Sequence, residues 1–267
     1  MSSIKMNYQK ELKIVKQAVI KAGEALEKEF KKWQRGKATY KKHDEIVTWC
    51  DKKSEGTILN ILNKNFPDYA VLSEESGKNN KSSDYSWVID PMDGTSNFTI
   101  HNPLFTVSVS LLYKDQIVLG VTYMPVLNEL YHAVSGAGAF RNNKKIKVSE
   151  INLLKKSFIT YCHGQTLKTH RQAYKVYEHF HEVARDCRHF GSTTLELAMV
   201  AAGNTEALIV AQAKIWDIAA GIILIREAGG KVTDFQGKEW NLKSKTLLAA
   251  NKKIHQTLKN QLNKLKI

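Results

Sequence analysis

Apolar residues fall three or four apart between residues 9 and 33: Leu12, Val15, Val19, Ala22, Leu26 and Phe30. This spacing predicts an amphipathic helix, with Lys and Glu filling its outward face. Gly23 interrupts that face and lowers the helix propensity. The polar stretch "GKATYKKHDEIVT" reads as a loop or a pair of short strands. Residues 49–66 predict a second helix, with Ile58, Leu59, Ile61 and Leu62 as its contacts and Pro67-Asp68 closing it. The pattern then shortens to strand length. "YAVLSEES" and "YSWVID" are apolar runs that end at acids. Residues 104–149 predict a meander of strands, with turns at Lys114-Asp115, Pro125 to Asn128, Gly136 to Gly138 and Asn142-Asn143.

Past about residue 150 strands and helices alternate. "KKSFITYCH" predicts a strand, 169–186 a helix, and "RHFG" a strand end with a loop at Gly191. Ser192 is placed to cap the helix "TTLELAMVAAG". A strand, "TEALIVAQA", follows. An apolar helix opens at Asp217 and stops at Gly229-Gly230. "KVTDFQG" and "TLLAAN" are the last strands. The change of texture sets a boundary near 145–155, between an N-terminal α+β half (1–148) and a C-terminal α/β half (149–267). No internal repeat or low-complexity linker is visible.

The formal net charge of +14 would steer anions toward the surface. The lysines are scattered, though, as in Lys31-Lys32, Lys41-Lys42, Lys144-Lys145, Lys155-Lys156 and Lys252-Lys253. No dense basic block carries interleaved aromatics, so a solvated basic face is the simpler reading than specific nucleic-acid binding. The cysteines Cys50, Cys162 and Cys187 are far apart and form no CxxC pair, against a disulfide scaffold or a cysteine-based zinc site. No apolar run is of signal-peptide or membrane-spanning type, so a cytoplasmic protein is expected.

The chemistry concentrates in "WVIDPMDGTSNF", residues 87–98. Asp90 and Asp93 flank Pro91-Met92 at the end of an apolar strand, where like charges repel unless protonated or neutralised. A divalent ion neutralises them well, and Mg²⁺ prefers oxygen ligands and works with phosphate. Gly94 would let the backbone approach a ligand closely. If Thr95 opens a helical turn, its amide is free for phosphate and its hydroxyl can orient water. The other reading is an acidic turn with Asp93 or Thr95 capping. Further acids stand at predicted junctions: Glu74-Glu75 after a strand, Asp51 at the second helix, and Asp217 beside Trp216 at the apolar helix. Capping accounts for Asp51 or Asp217 singly. Together the junction acids favour a metal site, since such junctions are where α/β sites gather.

With these residues in view, the chain resembles the inositol monophosphatase family of Mg²⁺-dependent, lithium-sensitive phosphatases, over roughly residues 8–252. "WVIDPMDGTSNF" and "IWDIAAGIILIREAGG" (215–230) match its signatures, and "VLSEES" and "DEIVTWCD" fit the other metal-facing elements. The resemblance implies a layered αβαβα sandwich, shared with fructose-1,6-bisphosphatases, and a homodimer. It implies that Glu74 and Asp90 hold a first Mg²⁺ with the Met92 carbonyl, and that Asp90, Asp93 and Asp217 hold a second. Glu74 would also serve a third, weaker ion. Asp51 would pair with Thr95 to activate water, and Asp93, Gly94 and Thr95 would border the phosphate. Gly191, Thr193, Arg188 and Gln212 would lie toward the rest of the substrate.

The chain also departs from the family. Ser73 stands where the family often has Gly. Val210 stands seven residues before Asp217, where inositol-type enzymes carry a Glu that contacts a substrate hydroxyl. A valine there leaves an apolar wall and counts against inositol-specific recognition. His189 reads as a packed strand residue, His163-Gly164 as a surface turn, and Trp216 as packed on the core. The substrates the resemblance offers are inositol phosphates, histidinol phosphate, fructose 1,6-bisphosphate and 3′-phosphoadenosine 5′-phosphate. A different class is a binding protein of RNA or a transcription complex. An inactive relative is disfavoured, because Asp51, Glu74, Asp90, Asp93, Thr95 and Asp217 are all present.

Overall fold

The computed structural model describes residues 8–40, 46–164, 166–265 and 267. Lys41-Lys42 and Asp44-Glu45, the latter part of the "DEIVTWCD" match, lie outside the described residues. The first half runs α1 (Gln9–Phe30), β1 (Thr39–Tyr40), β2 (Ile46–Val47), α2 (Trp49–Asn65), β3 (Ala70–Ser73), β4 (Gly77–Lys78), β5 (Tyr85–Asp93), α3 (Thr95–Thr99), β6 (Thr106–Tyr113), β7 (Gln116–Met124), β8 (Glu129–Val134), β9 (Gly138–Arg141) and β10 (Lys144–Lys145). The second half runs β11 (Phe158–Cys162), α4 (Leu167–Val183), β12 (Asp186–Arg188), α5 (Thr193–Ala201), β13 (Ala207–Val210), α6 (Ile215–Glu227), β14 (Lys231–Thr233), β15 (Leu247–Ala250) and α7 (Lys252–Lys264).

The strands from β3 to β10 form an eight-stranded sheet in the order β10-β9-β8-β7-β6-β5-β3-β4. The five-stranded sheet has the order β12-β11-β13-β15-β14. Helices α1 and α2 cover one face of the larger sheet, where Val15, Val19, Leu26, Ile58 and Leu62 meet Trp87, Val107, Val109 and Leu111. Helices α5 and α6 lie between the sheets, where Leu197, Ile222 and Ile225 are shared with Tyr131 and Ala133 on one side and Leu208 and Leu247 on the other. Helices α4 and α7 close the far side through Val176, Phe180, Ile254 and Leu258. The layering is αβαβα. Helix α1 packs on one face of β6 and α6 on the other, which is why "TVSVSLL" is buried throughout, its Thr106, Ser108 and Ser110 included.

Gly23 has a packing reason for sitting inside α1. A Cβ there would lie 2.5 Å from the Tyr123 ring on β7, so only glycine lets helix and sheet close. The meander turns fall where expected, with positive φ at Lys114, Asp115, Asn128, Asn142 and Asn143. The sequence reading stopped at the last strand and missed α7, whose cap Asn251 accepts from the Lys253 and Ile254 amides at 2.9 and 3.1 Å. Among the described residues, no helix is long and apolar enough to cross a membrane. The three cysteines are free and buried.

Candidate active site

The two central acids meet because of one irregularity. Asp90 and Asp93 differ by an odd number of residues, so a regular strand would point them to opposite faces. The pairing with β6 slips between them: Asp90 lies opposite Ser108, and Asp93 opposite Thr106. One extra residue on β5 makes a β-bulge at Pro91-Met92 and brings both carboxylates to the same side of the sheet. Pro91 suits this place because it has no N–H to lose from the ladder. The Met92 amide donates to Asp90 Oδ1 at 3.1 Å, and Ser54 Oγ of α2 donates to the Pro91 carbonyl at 2.7 Å.

The remaining acids arrive from neighbouring elements. β3 is parallel to β5, with Ser73 beside Ile89, and the Glu74 amide extends the ladder to the Ile89 carbonyl at 3.2 Å. Glu74 therefore follows on directly beside Asp90. Ser73 fits here as a hydrogen-bonding residue: its buried hydroxyl donates to Glu55 Oε1. Asp217 sits in the first turn of α6 and accepts from the Lys214 amide at 3.2 Å, so this helix opens at Ile215 and not at Asp217. Thr48, and not Asp51, is the N-cap of α2, and Asp51 Oδ2 accepts from both the Thr48 amide and its hydroxyl at 2.7 Å. Each of these two helix-start acids closes a capping box on its helix and also acts electrostatically on Asp90, so capping does not take it away from the acid cluster. Burial first, then Glu74, Asp93, Asp217 and Asp51, push the Asp90 carboxyl well above its usual range. An acidic all-oxygen set of this kind fits a hard divalent ion such as Mg²⁺.

Beside the acids, Thr95 Oγ1 lies 3.1 Å from Asp51 Oδ1 and 3.1 Å from the Met92 carbonyl. Burial pushes Asp51 up to about 6, against the pull of the Thr48 and Thr95 hydrogen bonds. Gly94 has φ +91°, and a Cβ there would sit 2.8 Å from the Leu104 carbonyl oxygen. The bend it allows starts α3 at Thr95, as the sequence suggested.

Asp93 is held from the second half of the chain. Its Oδ2 accepts from Ser192 Oγ at 2.7 Å, the Thr194 amide at 2.6 Å and Thr194 Oγ1 at 2.8 Å. Asn97 Nδ2 donates to the Phe190 carbonyl at 2.7 Å and braces the same loop, with Gly191 packed against it. Thr193 is half-buried at the start of α5. Arg188 is exposed and engaged by Asp186 on its own edge strand. Gln212 is exposed and packs on the Gly164 turn. Val210 is 2% exposed and lies in register with Cys162 and Leu247, an apolar wall. Trp216 is partly buried against the core, and His163 is exposed. His189 differs from its reading as a packed strand residue: it lies past the end of β12, exposed, with its ring stacked on Tyr161 at 5.3 Å.

The residues missed in the sequence are those that hold others. Glu55 lies one helical turn after Asp51, a spacing that could have drawn notice. Its Oε1 accepts from Ser73 and from the Ser76 amide at 3.0 Å and the Ser76 hydroxyl at 3.1 Å. Ser54, Asn97 and Thr194 carry no local signal, and Ser192 reads only as a cap.

Known proteins resemble this chain over nearly its whole length. The family model described as the inositol monophosphatase family matches residues 7–266. The chain is 38% identical over 258 residues to the protein named Nus factor SuhB from Pasteurella multocida, covering 95% of each. It is 35% identical over 255 residues to the inositol-1-monophosphatase of Mesorhizobium japonicum, covering 95% of this chain and 96% of that one. The crystal structure of extragenic suppressor protein suhB from Bartonella henselae superposes with a TM-score of 0.91 at 33% identity, covering 96% of this chain and 99% of that one. The chain belongs to the inositol monophosphatase family.

Proposed function

We propose that this chain is a Mg²⁺-dependent phosphatase of small phosphate monoesters, of the inositol-monophosphatase type. The observation that carries the reading is the β-bulge that turns Asp90 and Asp93 to one side, next to the Thr95–Asp51 pair. Glu74, Asp90, Asp93, Asp217 and the Met92 carbonyl would hold the two or three ions. Bound Mg²⁺ supplies a water of lowered pKa and neutralises charge on the phosphoryl group.

The chain's own residues handle the proton and the orientation. Thr95 Oγ1 takes a proton from the attacking water as it passes its own to Asp51 Oδ1. Thr48 occupies Asp51 Oδ2 with two donors, which leaves Oδ1 for Thr95. Burial raises the Asp51 carboxyl, which makes it a better acceptor for that proton. The Gly94 and Thr95 amides would border the phosphate, and the 190–194 loop would face the alcohol portion. Val210 supplies no acceptor for a substrate hydroxyl, which favours broad specificity over inositol-specific recognition. A cytoplasmic, lithium-sensitive homodimer completes the proposal.

The test is phosphate release with Mg²⁺, with and without lithium. The panel holds inositol 1-phosphate, histidinol phosphate, fructose 1,6-bisphosphate and 3′-phosphoadenosine 5′-phosphate. Mg²⁺-dependent turnover lost in Asp93→Asn is expected. No turnover of any compound by folded protein would reject the reading.

One observation favours a second role, binding of RNA. A groove of about 480 Å³ on the outer helix α4 is lined by Lys168, Arg171, Gln172, Lys175 and Ile267, in the layer furthest from α1 and α2. Such a basic groove suits a nucleic-acid backbone. Salt-dependent RNA binding that is lost on charge reversal of Lys168, Arg171 and Lys175, with phosphatase activity kept, would establish this role.

A further inference from the structure

Beside the loop that holds Asp93, one compact trio of softer donors comes together. Cys162 ends β11, His189 lies just beyond β12, and Glu196 sits in α5. One ligand atom from each, the Cys162 sulfur, a His189 ring nitrogen and a Glu196 carboxylate oxygen, lies within 4.8 Å of the others. Among the described residues no three carboxylates of the acid cluster come that close. Cys162 and Glu196 are buried, and His189 closes the group from the solvent side.

Glu196 shows what the group lacks. Its Oε1 accepts from the Phe190 amide at 3.0 Å and from Cys162 Sγ at 3.4 Å. Its Oε2 is buried with no hydrogen-bond partner, and the side chain is fully enclosed. A buried carboxylate with a bare oxygen is costly. Burial first, and Asp93 after it, push the Glu196 carboxyl up to about 8, against the pull of the Phe190 and Cys162 hydrogen bonds and of the Thr160 hydroxyl.

We propose that Cys162, His189 and Glu196 form a second metal site, for a borderline divalent ion of the zinc type, with water in the fourth position. Thiolate, imidazole and carboxylate are zinc donors, whereas Mg²⁺ prefers oxygen alone, so donor chemistry sorts ions between the two sites. Donors around a tetrahedral zinc stand roughly 3.3–3.8 Å apart, so the trio closes by about 1 Å on binding. His189 can supply that movement because it is exposed, its ring resting on Tyr161 at 5.3 Å and His163 at 5.5 Å. Cys162 releases its proton to solvent as the ion enters.

The site acts on the loop that holds Asp93. Ser192 and Thr194, the donors to Asp93, lie in sequence between His189 and Glu196. An ion bound at both ends of that stretch fixes it. Binding to the folded chain alone also raises its unfolding temperature.

Cobalt(II) is the probe, added to the full chain with excess Mg²⁺ present to occupy the oxygen-only cluster. The expected result is a near-ultraviolet thiolate-to-cobalt charge-transfer band that saturates at one equivalent and is displaced by Zn²⁺. It is absent in Cys162→Ser, where Cys50 and Cys187 remain. His189→Ala, a surface change that leaves the fold intact, weakens the apparent affinity by about tenfold or more. No band in the unaltered protein overturns the proposal. So does a band that persists in Cys162→Ser, or a His189→Ala titration equal to that of the unaltered chain.

Discussion

Removing Glu55 should damage the acidic site without touching any of its candidate ligands. Glu55 reaches from α2 to the turn that carries Glu74, and its Oε1 gathers the Ser73 hydroxyl, the Ser76 amide and the Ser76 hydroxyl. In Glu55→Ala, water replaces the partner of Ser76, which is exposed. It cannot reach Ser73, which is fully buried. Leaving that hydroxyl unpaired costs about 1–3 kcal/mol, and the lost packing of the side chain adds about 1 kcal/mol. The expected loss is therefore about 2–4 kcal/mol in urea unfolding with chelator present. Because the turn loosens, Glu74 is no longer held, and the Mg²⁺ concentration for half-maximal phosphate release should rise about tenfold. Glu55→Gln keeps an acceptor for Ser73 and should lose less than about 1.5 kcal/mol. Glu55→Ala within about 0.5 kcal/mol of the unaltered chain, with unchanged Mg²⁺ dependence, would refute the assignment of Glu55 as a positioning residue.

Thr95→Val and Asp51→Asn should each lower kcat about 10²–10⁴-fold, with the first leaving urea stability nearly unchanged, because each breaks the water–Thr95–Asp51 proton path. Gly94→Ala should lower stability by about 2–4 kcal/mol in thermal melts, since it meets both φ +91° and a contact of 2.8 Å to the Leu104 carbonyl oxygen. Burial, then Lys231 and Lys259, hold His255 down at about 4, against 6.5 as its ordinary value. The unfolded chain thus binds the extra proton first, and stability is lost as pH falls below 6.5 toward 4. His255→Gln should remove about 1–2 kcal/mol of the stability difference between pH 7 and about pH 5, read from urea unfolding at both. An unchanged difference would count against a neutral buried His255.

The parts of the fold that could be read from sequence are those fixed by local pattern. The face of α1, the apolar runs of β5 and β6, and the Asn and Gly turns of the meander all carry their periods or turn chemistry within a few residues. Helix α7 was missed although Leu258 and Leu262 lie on one face, because Lys and Asn dominate its composition. The acids of the site were legible for the same local reason: each sits at the end of an element. Their mutual geometry was not. The bulge at Pro91-Met92 is a relation between β5 and β6, and only the register shows that an odd spacing yields a shared face. The caps at Asp51 and Asp217 show a further limit. Sequence reasoning weighed capping against ligation, whereas a carboxylate has two oxygens and can do both.

Asp93 shows what this division of labour does for the site. Its strand supplies the carboxylate, but donors 99 and 101 residues further on hold Oδ2. Those bonds lower the cost of keeping it ionised, offsetting the burial that raises it. Oδ1 lies outside that grip. The first half therefore gathers negative charge, and the second half fixes the angle at which one part of it is presented. The same loop comes from the second sheet and is braced on the first by Asn97, so small shifts between the sheets reach Asp93 before they reach Glu74 or Asp90. Asp93 adds to the repulsion that raises Asp90, so a cation that offsets it would bind best with the loop donors holding Asp93 in place.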